Sequence, residues 1–188
     1  VYTGRLKRVK KHSGTVRSWF ADRQGNVRIG EHYDDKKRKV TYKILDQATD
    51  KWVVAWEYVV FDEPSIYIAG FGSNPNELYI FADHEGRKAL FKTDLSQPGF
   101  PRELVLGDER YDVSGRLIYS RAHKEVVGLY YNDGSSRSVF WNKEFQAFQG
   151  GLDKALPDTS NYIVNMSTDG SAHAGANALL LNGSFVTS

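Results

Sequence analysis

The sequence contains no cysteine, which excludes disulfides, thiolate nucleophiles and Cys-ligated zinc. It also lacks any apolar run near the roughly 18 to 20 residues that a membrane-spanning helix requires. The basic stretch Val1–Lys11 is not followed by the apolar segment of a secretion signal. A soluble chain without a membrane partner, periplasmic or cytoplasmic, is the expectation. The chain begins at Val rather than Met, as a processed protein or a piece of a longer one does.

Catalytic patterns are missing too. A nucleophilic serine at a strand-to-helix elbow needs glycine two residues before and two after it. No serine has both, and Ser136 has Gly134 behind it but Ser138 ahead. His12, His32, His84, His123 and His173 are scattered without metal-ligand spacing. Gly70-Phe71-Gly72 lacks the Lys-Ser/Thr that would hold phosphate and metal. The 23 acidic residues offer so many carboxylate pairs that none stands out. No catalytic, cofactor-binding or metal-binding residue is therefore assigned, and no cofactor is expected.

The net charge of +2 hides an asymmetry, because residues 1–51 carry +8 and the remainder −6. A basic end can mark a nucleic-acid or acidic partner. Here Lys36-Lys37-Arg38-Lys39 follows Asp34-Asp35 in a hairpin loop, where charges are solvated, and no helix-turn-helix, RNP-like or finger pattern accompanies it. No nucleic-acid partner is expected.

What the chain does have is short runs rich in Val, Ile, Tyr, Trp and Thr, bounded by Asp, Gly, Asn or Lys. Ser18–Ala21, Asn26–Tyr33, Lys39–Leu45 and Lys51–Trp56 read as four antiparallel strands, with Gly25 supplying a tight turn. A second such unit runs through Ile66–Ala69, Glu77–Asp83, Arg87–Leu95 and Glu103–Leu106. A third takes in Arg116–Ser120, Glu125–Tyr131, the Asn132-Asp133-Gly134 hairpin signal and Ser138–Trp141. Phe20-Ala21-Asp22-x-x-Gly25 and Phe81-Ala82-Asp83-x-x-Gly86 match at identical spacing, 61 residues apart, and are the clearest internal sign of repetition.

Lys143–Leu156 differs. Phe145, Phe148, Leu152 and Ala155 lie on one helical face and Pro157 ends it, so a short or kinked helix is expected there. A fourth unit opens with Tyr162–Ser167 and a Thr168-Asp169-Gly170 turn. From Ser171 the residues are small, and 171–188 reads as an atypical tail or incomplete strand after a domain spanning 1–170.

Repeats of about 40 to 50 residues, each of four strands, predict an all-β partial β-propeller of about three to four blades of four-stranded antiparallel meanders, with one short helix. A β-sandwich is the other architecture such strands build. Too few repeats to close a ring leave sheet edges free, so self-association through exposed blade edges is expected. Trp19, Trp52, Trp56 and Trp141 lie inside strands, a placement that suits packing between blades better than a ligand platform.

Ser18-Trp-Phe-Ala-Asp-Arg-Gln-Gly-Asn-Val-Arg-Ile-Gly-Glu-His-Tyr-Asp34, then Glu77–Asp83 and Ala89–Leu95, resemble the N-terminal propeller of the prolyl oligopeptidase family. Within that family they are most similar to the bacterial dipeptidyl-aminopeptidase or acylaminoacyl-peptidase-like proteins. Asp112–Tyr119, Val127-Gly128, Leu152–Pro157 and Ser167–Gly170 continue the resemblance in the same order, over about residues 14–170. It implies a C-terminal α/β-hydrolase domain, carrying Ser, Asp and His, as the partner of this segment, with oligopeptides as substrates. None of those three positions has a counterpart in the chain. The acidic pair with which the dipeptidyl-peptidase branch grips a substrate amino terminus has none either, since the residues around Glu57 differ. The expected role is a non-catalytic wall limiting and orienting peptide access. The alternative is a stand-alone binding or protein-interaction module.

Overall fold

The computed structural model describes residue 10 and residues 14–62, 64–132, 136–157, 159–166, 173–181 and 184–186. The first sheet holds β1 (Val16–Ala21), β2 (Val27–Asp34), β3 (Lys39–Asp46) and β4 (Lys51–Val59), in the order β1-β2-β3-β4 with every neighbouring pair antiparallel. The second holds β5 (Ile66–Phe71), β6 (Glu77–His84), β7 (Arg87–Asp94) and β8 (Arg102–Leu106), again in sequence order. The third, β9 (Gly115–Ser120), β10 (Glu125–Asn132) and β11 (Ser136–Phe140), is followed by helix α1 (Lys143–Ala155). The fourth is β12 (Thr159–Met166), β13 (His173–Leu181) and β14 (Ser184–Val186). The fold is thus all-β and propeller-like in its consecutive meanders, with one helix among the described residues.

The four-strand pattern holds in the first two sheets, but the third has three strands among the described residues. Helix α1 follows them because Asn142 caps its start, its side-chain oxygen accepting the backbone N–H of Glu144 and Phe145. Within the expected tail, His173–Leu181 and Ser184–Val186 form β13 and β14. Ala and Gly are poor strand formers, yet the backbone from Thr159 to Met166 pairs with that from Leu179 back to His173. The turns expected at Asp133-Gly134 and Thr168–Gly170 lie outside the described residues.

The Phe-Ala-Asp-x-x-Gly match is out of register with the repeat. Val16 and Ile66, which open the first two sheets, are 50 residues apart, not 61. Phe20-Ala21 ends β1, and Asp22 then turns the chain into β2, with Gly25 at φ +86°. Phe81-Ala82-Asp83 belongs to β6, one strand later in its sheet, and its turn is made by Glu85 and Gly86 at φ +55° and +81°. The equivalent positions are Asp46, ending β3, and Asp94, ending β7. Each carboxylate folds back on its own turn, Asp46 accepting from the N–H of Ala48 and the hydroxyl of Thr49, Asp94 from the N–H and hydroxyl of Ser96. Those donors hold both carboxyls below their ordinary range.

Residues up to Asp83 with Phe91–Glu103 make one compact unit, and His84–Leu90 with those from Leu104 onward make another. In the first unit β3 alternates, burying Val40, Tyr42 and Ile44 on one face, whereas β6 buries Leu78–Ala82 without a break and so is covered on both faces. Gly30 of β2 pairs with Trp19 of β1, and a Cβ there would come within 2.8 Å of the indole, so a glycine is needed for that close approach. In the second unit Val127, Phe140, Phe145 and Ile163 form the core, with Phe140 and Phe145 stacked at 5.4 Å. The expected helix face shifts as well. Phe145 is buried but Phe148 is exposed, because the Gln149 amide turns inward and donates to the Asn161 carbonyl oxygen at 2.9 Å.

Candidate functional site

The most deeply buried charges lie in the first unit. Asp22 follows β1, and its side chain is fully buried. Its Oδ1 accepts the backbone N–H of Gln24 and Asn26, so the carboxylate is the centre of the β1–β2 turn. Arg28, on β2, is 2% exposed and sits 3.8 Å from Asp22. Its guanidinium donates to the Pro75 carbonyl oxygen at 2.8 Å and to Asn76 Oδ1 at 3.0 Å. One arginine thereby fixes the β5–β6 turn to the first sheet. Burial lowers the Arg28 pKa, and Asp22 opposes that shift.

Aromatic rings extend the same join. Phe20, Tyr42 and Trp56 meet edge to face, and Trp56 continues onto Phe100 at 5.6 Å. Tyr58 reaches Tyr67 of β5 at 6.2 Å. Trp19 contacts Trp52, while Trp141 donates its indole N–H to the Val126 carbonyl oxygen. Among the described residues, only Trp56 meets the expectation of packing beyond its own sheet; Trp19 and Trp52 pair within the first sheet, and Trp141 follows β11 rather than lying inside a strand. Tyr42 is nearly inaccessible, and burial, then Glu31, push its hydroxyl far above the ordinary range. Tyr42 is therefore a packing residue that stays neutral.

The histidines are dispersed. His32 on β2 lies 3.4 Å from the Thr15 hydroxyl, and burial, then Lys43, lower its pKa. His84 ends β6 and lines a hollow with Glu85, Arg87 and Asp108. His12 lies outside the described residues, as do the side chains of His173 and Ser136. Gly72 closes the β5–β6 turn by donating its N–H to the Glu77 carbonyl oxygen. Glu57 pairs with Lys39 at 2.6 Å and accepts from Thr41, and those two donors hold its carboxyl below the usual range. Among the described residues no group of three or more His, Asp or Glu is placed to hold a metal ion, and no helix is long and apolar enough to cross a membrane.

Sequence reasoning missed one constellation. Ser120 Oγ lies 3.0 Å from His123 Nδ1, and His123 Nε2 lies 3.0 Å from Glu144 Oε2. A hydrolytic triad presents Nε2 to the serine and Nδ1 to the acid; here the ring is reversed. Ser120 is only 2% exposed, and its Oγ accepts the His123 backbone N–H. The group fastens the β9–β10 turn to the start of α1. The only sequence signal is Ser-x-x-His in a turn, since Glu144 is 21 residues from His123. His123→Ala is expected to cost roughly 0.5–1 kcal/mol in urea unfolding, as for a partly exposed polar pair. Ser120 should remain unlabelled by a fluorophosphonate probe, and a labelled Ser120 peptide in mass spectrometry would contradict this structural role.

A polar cavity of about 380 Å³ opens in the first unit beside β7 and β8. Thr93 and Asp94 of β7 and Arg102 of β8 line it, with Asn74 from the β5–β6 turn and Glu77 from the start of β6. Lys92 and Glu103, also on its wall, pair at 3.2 Å. No family model, curated protein or solved structure matches the chain.

Proposed function

We propose that the chain is a non-catalytic propeller segment of a prolyl oligopeptidase-like serine peptidase. In the intact protein it covers the active site of an α/β-hydrolase domain, admitting extended oligopeptides and excluding folded proteins. The observation that carries this reading is the repeat of the first two sheets. Two four-stranded meanders open 50 residues apart, with the same aspartate turn after the third strand of each. The ordered resemblance over residues 14–170 supports the choice of family, whose propellers serve this purpose. The reading predicts that the parent reading frame continues into a domain with a Gly-x-Ser-x-Gly elbow. Sequencing through the locus tests it, and a frame that continues into an unrelated domain overturns it.

A second reading, a stand-alone binding module, is favoured by one feature. β4 is outermost in its sheet, with Val53 and Val54 exposed, and the turn after it presents Phe61 at 91% exposure with φ +77°. An edge strand with apolar side chains is a template for strand addition by a second chain.

A further inference from the structure

We propose that the outer face of α1 is a docking surface for a second copy of the chain, the two helices packing antiparallel about a two-fold axis. α1 buries Phe145 and turns Gln149 inward, which leaves Glu144, Phe148, Gly151 and Ala155 along another face at helical spacing. All four are exposed, Phe148 by 41%. The glycine is the anomaly on that face. Glycine is the poorest helix former after proline, so one in a helix interior has a reason outside helix formation. Nothing within the chain supplies it, because Gly151 has no positive φ and a Cβ built there meets no other group within 4 Å. The missing side chain is a hollow that opens outward, beside an aromatic ring that is itself exposed.

The face is complementary to itself. When Phe148 of one copy sits over Gly151 of the other, the two-fold makes the reverse contact as well, so each ring fills a hollow. Ala147 and Ala155 lie one turn to either side of Gly151 and let the axes approach toward the short end of the roughly 8–10 Å range for packed helices. The charges agree with the same register. Glu144 is in the first turn and Lys154 in the last, so antiparallel packing brings the acidic end of each helix to the basic end of the other and opposes the two helix dipoles. His123 takes Glu144 Oε2 and leaves Oε1 for this contact. Parallel packing would bring like ends together. A helix of 13 residues is about 20 Å long and makes a small interface, so the dimer is a weak one, half formed on the order of 0.1 mM. The inference is independent of the peptidase reading, because it needs only the second unit.

The test is sedimentation of the full 188-residue chain at concentrations from about 5 μM to about 1 mM, which bracket that midpoint. A monomer–dimer equilibrium is expected. Gly151→Gln fills the hollow and should weaken association about tenfold, yet raise the urea midpoint of the chain, because glutamine is the better helix former. A glycine with a purely structural role would not separate these two readouts. Phe148→Ala should weaken association about tenfold by removing the ring, and Lys154→Glu about threefold by setting like charges together. Because the chain has no cysteine, Phe148→Cys and Gly151→Cys chains mixed under oxidation report the register directly, and the mixed disulfide should outnumber either homodimer. A chain that stays monomeric throughout, affinity unchanged in any of the three association variants, or homodimer disulfides in excess of the mixed one overturns the proposal.

Discussion

Replacing Asp22 with alanine is expected to cost about 3–5 kcal/mol in urea unfolding. The magnitude follows from what remains behind. Breaking a buried ion pair by removing one partner leaves the other charge in a poorly solvating interior. Here the survivor is the Arg28 guanidinium, 2% exposed, whose Nε already lacks a hydrogen-bond partner. The same change strips the β1–β2 turn of the acceptor for the N–H groups of Gln24 and Asn26. Asp22→Asn separates the two effects, since its amide oxygen still accepts from the turn while the charge is gone; a loss of about 2 kcal/mol is expected.

Arg28→Met should cost about 3 kcal/mol, because the buried Asp22 carboxylate loses its counter-charge and the Pro75 carbonyl and Asn76 Oδ1 lose their donor. Arg28→Lys should recover part of that, as a single ammonium cannot reproduce the fork. The double variant Asp22→Ala/Arg28→Met removes both charges together and should be less destabilised than the sum of the single changes by about 1–3 kcal/mol. Additive losses, or an Asp22→Ala variant within about 1 kcal/mol of the parent chain, would show that the pair does not carry the join between the first sheet and the β5–β6 turn.

That pair illustrates what a linear sequence conceals. In Val27-Arg28-Ile29 the arginine alternates with apolar residues and looks like a solvent-facing position of a half-buried strand. It is buried because acceptors 47 and 48 residues away converge on it. The strands themselves were legible, since β-branched and aromatic runs punctuated by Asp and Gly encode hairpins locally. Register across repeats was not. Asp-x-x-Gly serves any hairpin, so Asp22 and Asp83 matched although one makes a turn and the other lies in a strand. The true counterparts, Asp46 and Asp94, hid because Gln47-Ala48-Thr49 and Leu95-Ser96-Gln97 reach the same turn with different donors. In α1 the 3.6-residue period placed Phe145 correctly but could not show that Gln149 would displace Phe148 from the inward face. β13 was unreadable for another reason: its pairing rests on the backbone ladder to β12, which composition does not report.

The second large effect is all or none and concerns turnover. Serine-peptidase chemistry needs an accessible hydroxyl held by a general base, with donors placed for the oxyanion, and these parts act as a unit. The Ser120–His123–Glu144 group has the ring reversed and the serine buried. In the proposed reading the blades supply walls and contacts that select and orient a substrate, and the nucleophile comes from the hydrolase domain. The measurement that tests this division of labour most directly is hydrolysis of aminoacyl and peptidyl chromogenic substrates by two purified proteins. One is the 188-residue chain, and the other is the longer peptidase in which the proposed function places it. The account predicts no turnover above buffer for the first and phosphonate-sensitive turnover for the second. Turnover by the 188-residue chain that a serine-directed phosphonate blocks would contradict it.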